Sequence, residues 1–236
     1  MCGRYSIADP RRCIAEFSIL EKQPALEPRY NVAPSQGVWA VRIVPPRTER
    51  RLDLLRWGLL APGARTSGGI VMARAESLAK RSSFAAAFRT RRCLLLADGF
   101  YEWRRDGNQS FPYHVRRTDG APFGMAGVWE PAPPSDDPLS LDSCAVITRP
   151  ARPPITMLHD RMPAILAAND HEAWLDPSFD DTDALTKILL HDAGVELVTF
   201  PVSPRVNSPA NDDRDCLAPI AEGDRHGEQL ELWRRG

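Results

Sequence analysis

Three short stretches of this chain carry side chains able to do chemistry. It opens MCGRY, with Cys2 directly behind Met1. Cysteine is small enough for methionine aminopeptidases to clear Met1, so the expectation is a mature chain that begins at Cys2. Such a residue holds a free α-amine and a thiol on adjacent carbons, with reference pKa values of ~7.7–8.0 and ~8.5, well below the ~10.4 of a lysine amine. Near neutral pH roughly a tenth or more of that amine is unprotonated and nucleophilic. Two chemistries follow: the thiol attacks an acyl carbon with the amine as its base, or the amine condenses with an aldehyde and the thiol closes a thiazolidine ring.

The second stretch, LADGFYEW (Leu96 to Trp103), sets Glu102 just beyond an apolar run and between two aromatics. A carboxyl there is desolvated, which raises its pKa toward the range useful for proton transfer; the alternative is a glutamate that pairs with a nearby arginine. The third, MLHDRMPAIL (Met157 to Leu166), groups His159, Asp160 and Arg161. Histidine shuttles protons near neutrality and an arginine fork suits phosphate, although a lone histidine before a strand is commonly structural. Two further residues have weaker claims. Asn31 in YNVAPSQ offers an amide on a loop held by Pro34, either as a ligand or as a backbone cap. Trp57 in RWGLLAP is a platform for a nucleobase or ordinary core.

The elements that must position these residues are mostly strands. Apolar or alternating runs predict them at Val38 to Val44, Leu52 to Trp57, Cys93 to Ala97, Pro112 to Arg116, Phe123 to Trp129, Cys144 to Thr148, Ala164 to Ala167 and Leu197 to Phe200. Helical patterns lie at DPRRCIAEF, with Asp9 as cap and Pro10 in the first turn, at Glu76 to Arg89, at Asp170 to Leu175 behind Asn169, and at Asp183 to Asp192. Strands without strict βαβ alternation predict an α+β fold, with helices around a mostly antiparallel, barrel-like sheet. A single domain is expected over residues 1–221, followed by a partly mobile tail, 222–236. The 22 prolines mark many loops, the densest of them EPAPPSDDP, Glu130 to Pro138.

Composition excludes several classes. The 236 residues are 43% hydrophobic and 26% charged, ordinary for a soluble domain, with no signal peptide and no apolar run long enough to span a membrane. A cytoplasmic protein is expected. Five scattered cysteines, with no C-x-x-C, indicate neither a disulfide framework nor a zinc knuckle, and HEAWL lacks the second histidine of H-E-x-x-H. No metal and no other cofactor are expected. With a formal net charge of −1, a polyanion must be held by a local patch. The basic residues are almost all arginine, which grips phosphate bidentately; a GC-rich genome explains the same bias.

Taken in order, MCGRY, YNVAPSQ, RWGLL, ARAES, DGFYEW, HDRMPAIL and VSPRVNSP resemble the SRAP (SOS response-associated peptidase) family, proteins that shield abasic sites in single-stranded DNA. The resemblance runs from Cys2 to about Pro219. It implies the SRAP fold and a covalent thiazolidine between the terminal cysteine and the aldehyde of the ring-opened sugar. In that scheme Cys2 is the nucleophile, Glu102 the acid/base that opens the sugar and forms the imine, and His159 a proton-transfer group that also assists reversal. Arg4, Arg74 and Arg161 match phosphate-holding positions, Asn31 lies at the pocket, and Trp57 stacks on a neighbouring base. The implied partner is single-stranded DNA with abasic sites, with no membrane and no obligatory protein partner. A peptidase activity, as in the family's name, would be limited to exposing Cys2.

One departure stands out. The family reads asparagine-alanine-arginine before its glutamate, whereas this chain reads MARAES, with Met72 in the asparagine's place. A thioether is a poor acceptor and no donor, so one hydrogen bond to the opened sugar is lost and slower crosslinking is expected. Two other readings compete. An N-terminal-nucleophile amidohydrolase would use the same aminothiol on a carboxamide, yet would leave DGFYEW and HDRMP without a role. A non-catalytic single-strand-binding module would bind DNA with or without Cys2.

Overall fold

The computed structural model describes residues 3–17, 19, 26–60, 69–133 and 140–220. Cys2, the expected tail 222–236 and residues 134–138 of the Pro-rich stretch lie outside the described residues. In chain order the elements are β1 (Tyr5–Ile7), α1 (Pro10–Glu16), β2 (Arg29–Val32), β3 (Gly37–Arg42), β4 (Arg51–Trp57), β5 (Met72–Arg74), α2 (Ser82–Thr90), β6 (Arg92–Ala97), β7 (Gly99–Asp106), β8 (Gln109–Arg117), β9 (Phe123–Glu130), β10 (Ser143–Pro150), β11 (Arg161–Pro163), α3 (His171–Leu175), α4 (Thr182–Leu190) and β12 (Leu197–Pro201).

The fold is α+β, with two sheets. The larger runs β11-β10-β4-β3-β6-β9, and because β9 pairs with β10 as well as with β6, five of its strands close into a ring. Closure removes sheet edges and encloses apolar side chains, which is why β6 and β9 are buried at every position. Most pairings are antiparallel, whereas β10 runs parallel to both β4 and β5. The smaller sheet, β12-β8-β7-β1-β2, is antiparallel throughout. Along β7 successive residues point to opposite faces. Phe100 accordingly joins the main core with Tyr5, Trp57 and Leu94, while Tyr101 joins a separate cluster with Val202, Val206 and Cys216.

The corner between the sheets explains the DGF of the sequence. Asp98 accepts from Ser6 Oγ at 2.6 Å and from the backbone N–H groups of Ala8 (2.5 Å) and Asp9 (3.0 Å), which ties β1 and the start of α1 to the turn. A Cβ at position 99 would stand 2.2 Å from His114 Nε2, so only glycine fits. His114 is buried, which pushes its pKa down to about 3, and its neutral ring sits 3.1 Å from the Ser6 hydroxyl.

The expected strands 38–44, 52–57, 93–97, 112–116, 123–129, 144–148 and 197–200 all correspond to observed strands, with shifted ends. Others differ. Residues 164–167 are not a strand; β11 precedes them, and only Ile165 makes an isolated bridge, to Met125. The expected helix 76–89 is two elements, a 3₁₀ helix over Ala75–Lys80 and then α2, separated by Arg81 in extended conformation (φ −90°, ψ 121°). The helix expected at Asp183 starts at Thr182 because Asp181, and not a later residue, caps it, accepting from the N–H groups of Asp183 and Ala184. Asp9 and Pro10 open α1 as expected.

Candidate active site

The start of the chain is fixed against β7. Tyr5 pairs with Phe100, and the Tyr101 N–H donates to the Arg4 carbonyl at 3.0 Å. Because the strands are antiparallel, the chain followed back from Tyr5 through Arg4 runs along β7 in the direction of Glu102. Residue 2 is tethered to Arg4 by two peptide units, a span of at most ~7 Å.

Glu102 is 1% exposed and lies in register with Tyr113 of β8. Burial raises its pKa from 4.5 to about 7. A carboxyl so tuned is divided between acid and base near neutral pH. It lines an open cleft of about 690 Å³ together with Trp103, Arg104, Arg105, Ser110, Met157, Leu158 and His159. The cleft thus unites the second and third chemical stretches of the sequence.

His159 Nδ1 faces two partners, the backbone N–H of Arg161 at 2.9 Å and the carboxylate of Asp160 at 2.8 Å. The first needs a lone pair on Nδ1 and the second a proton, so they cannot both be satisfied. Burial lowers the imidazole pKa, the backbone donor is part-buried, and Asp160 is 81% exposed to competing water, so the neutral Nε2–H tautomer prevails. Moving the proton to Nδ1, onto Asp160, would turn Nε2 into a base without displacing the ring.

A second cleft, about 940 Å³, is lined by Met72, Arg74, Glu76, Ser77, Arg81, Thr148 and Arg161, among others. Arg161 of this cleft lies two residues along the chain from His159 of the first. Arg74 is exposed at the end of β5, well placed for an anion, and Met72 lies in the same strand beside Val146. Arg161, by contrast, is buried and already engaged. Its Nη1 and Nη2 donate to the two oxygens of Glu76 (2.6 and 3.0 Å), and Nη2 donates to the Thr148 carbonyl (2.6 Å). At this position the fork expected to hold a phosphate carries the Glu76 carboxylate.

Three other expectations also change. Trp57 is fully buried, with Nε1 donating to the Val71 carbonyl at 3.0 Å and its ring edge-on to Tyr5, so no face is offered to a base. The aromatic in the cleft is Trp103, half-buried, its Nε1 donating to Asn207 Oδ1. Asn31 is not on a loop but in β2, and it is fully buried. Its Nδ2 donates to the carbonyls of Val206, Ser208 and Asn211 (3.1, 2.9 and 2.7 Å), leaving no donor for a ligand. Its Oδ1 accepts from Arg4 Nη1 at 2.9 Å. Arg4 in turn donates to the carbonyls of Val206 and Asn207, so it clamps the chain start to the VSPRVNSP segment instead of standing open to a phosphate. Asp212 completes the clamp, accepting from Arg29 Nε and from the N–H groups of Tyr30 and Asn31.

Sequence reasoning missed Trp103, Arg104 and Arg105 as cleft residues and Glu76 and Thr148 as partners of Arg161. The Arg-Arg pair directly after GFYEW was the available signal. Among the described residues no group of His, Cys, Asp and Glu could hold a metal ion, and no helix is long and apolar enough to cross a membrane.

A closed strand ring with a smaller sheet that pins Arg4 and Tyr5 to the strand of a tuned carboxyl defines a class of protein, and sequence comparison gives it a family. The SOS response associated peptidase (SRAP) family matches residues 1–209, and the chain belongs to it. Abasic site processing protein YoqW of Bacillus subtilis (strain 168) is 34% identical over 225 residues, which cover 92% of this chain and 99% of that one. Abasic site processing protein HMCES of Xenopus tropicalis is 30% identical over 209 residues, covering 78% and 62% of the two chains. A crystal structure of a Bacteroides thetaiotaomicron protein superposes with a TM-score of 0.76 at 21% identity, covering 93% of this chain and all of that one.

Proposed function

We propose that this protein captures abasic sites in single-stranded DNA by forming a thiazolidine through Cys2. The observation that carries the reading is Glu102, buried, tuned to about 7, and one residue beyond the hydrogen bond that fixes the chain start to β7. The relatives named as abasic site processing proteins support the substrate class.

The chemistry balances as follows. Deprotonated Glu102 takes the proton of the sugar's anomeric hydroxyl as the ring oxygen is protonated, which frees the aldehyde. The α-amine adds to that carbon, and protonated Glu102 helps expel water from the carbinolamine, giving an imine. The Cys2 thiol adds to the imine carbon and its proton passes to nitrogen. One aldehyde and one aminothiol thus yield one thiazolidine and one water. His159 serves the proton transfers at the cleft wall, and Arg74 and Arg161 hold flanking phosphates. Ring closure by sulfur removes the imine that would otherwise hydrolyse or promote strand cleavage by β-elimination.

The test is a denaturing gel. The mature protein and a single-stranded oligonucleotide with one abasic site should give a shifted band, absent for Cys2→Ser and for protein that retains Met1. A band of equal strength with Cys2→Ser overturns the proposal.

A further inference from the structure

The Arg161 guanidinium is held from two directions with different permanence. From below, Nη2 donates to the Thr148 carbonyl at 2.6 Å and lies 3.3 Å from Thr148 Oγ1, both on β10. From the cleft side, both Nη atoms donate to the two oxygens of Glu76 in the parallel fork geometry that a phosphate would also adopt. The Arg161 side chain is 11% exposed and forms the floor; the Glu76 side chain is 40% exposed and sits at the mouth. Glu76 lies in the first turn of the 3₁₀ helix, so a rotation of its side chain alone carries the carboxylate into solvent. Removing it leaves the guanidinium anchored by Thr148. The cleft also carries Arg74 and Arg81. Glu76 is its sole acidic lining residue among those described.

We propose that Glu76 is an internal stand-in for a nucleic-acid phosphate on Arg161, displaced when the strand enters and therefore a residue that sets the affinity of this cleft for polyanions. The inference rests on the reading that the chain binds single-stranded DNA. Arg161 holds the Glu76 carboxyl below its usual pKa range, so it is charged at neutral pH and opposes any incoming anion. A strand that brings several phosphates onto Arg74, Arg81 and Arg161 offsets the lost ion pair; an isolated anion does not. Exchange of one carboxylate for one phosphate leaves Glu76 uncompensated in solvent, so the wild-type protein gains one fewer net charge contact than the number of arginines suggests.

The test uses an intact single-stranded oligonucleotide without an abasic site, followed by fluorescence anisotropy over a series of salt concentrations. Glu76→Gln should bind about two- to fivefold tighter at low salt, and its log K against log salt should steepen by up to ~0.7, because no freed carboxylate then offsets the phosphate on Arg161. Glu76→Asp, which keeps the charge but withdraws it by one methylene, should gain less. Glu172→Gln removes one negative charge from a separate groove, beside Arg47 and Arg50, and should leave the slope unchanged. Equal or weaker binding by both folded Glu76 variants, or the same steepening with Glu172→Gln, overturns the inference. A gain with the intact strand and no crosslinked band with an abasic strand would sink the covalent reading alone.

Discussion

Arg92 and Arg161 are both buried arginines, and they are held in opposite ways. Arg92, 2% exposed, forms no ion pair with a carboxylate among the described residues; its guanidinium donates to the carbonyls of Trp174 (2.6 Å), Phe88 and Phe179 (2.9 Å each), Arg89 and Asp176. Those carbonyls include the last turns of α2 and α3, where aligned peptide dipoles leave partial negative charge. Burial lowers its pKa to about 10, still protonated at any physiological pH. Arg161 is bound instead by one half-exposed carboxylate and by Thr148. A cation bound by main chain cannot exchange partners without unfolding two helix ends, whereas one bound by a side chain can. The first arrangement stabilises a fold; the second suits a binding site.

The comparison breaks most sharply at Arg92. Arg92→Met leaves a set of buried carbonyls without donors and should lower stability by about 3–5 kcal/mol, read from urea unfolding. Glu102→Gln should lower the crosslinking rate by ~10²-fold or more while leaving affinity for an intact strand nearly unchanged, as expected for a group acting in proton transfer. Arg161→Met should weaken strand binding by about 1–2 kcal/mol and reduce its salt dependence, at a smaller cost in stability than Arg92→Met, because Glu76 is left partly in water. Should the two arginine variants lose equal stability, the distinction between main-chain and side-chain anchoring fails. The smallest effect belongs to Met72→Asn, which restores a donor and acceptor to the second cleft and should quicken adduct formation by roughly two- to tenfold. An unchanged or slower rate would mean that the site has been rebuilt around the thioether.

Glu102 also sharpens the comparison through pH. Its folded pKa of about 7 lies above the ordinary 4.5, so between these values the folded state holds a proton that the unfolded state has released. Stability therefore falls as pH rises through that window. Glu102→Gln lacks this loss, and its melting temperature should exceed that of the wild type increasingly from pH 5 to pH 8. The crosslinking rate should rise with pH, limited on the acid side by protonation of the α-amine, reference ~7.7–8.0, and of Glu102, which must begin the reaction as the carboxylate.

The long apolar strands were legible because ring closure buries both faces of β6 and β9, leaving unbroken runs such as CLLLA. Short β1, β2 and β5 were not, since three or four residues show no period, and β7 was read only as the setting of Glu102. Among site residues, Glu102 was readable because its desolvation is written in its neighbours. Trp57 was misassigned because a tryptophan in a run of apolar residues reads the same in a core as in a groove. Asn31 was expected at the pocket and Arg4 on a phosphate, because the partners that occupy them lie some 175–203 positions away in the chain, beyond any local pattern.

By itself the sequence determined the groups available for chemistry and their order: a cysteine behind Met1, a carboxyl between aromatics, an imidazole beside an arginine, and an α+β fold to carry them. Only the tertiary structure decided which arginines are open to an anion and which are already occupied. It also decided that Trp103, not Trp57, is the aromatic in the cleft. The physical reason is that residue type fixes what a side chain is able to donate or accept, while burial and pairing across distant segments fix whether that capacity is already spent.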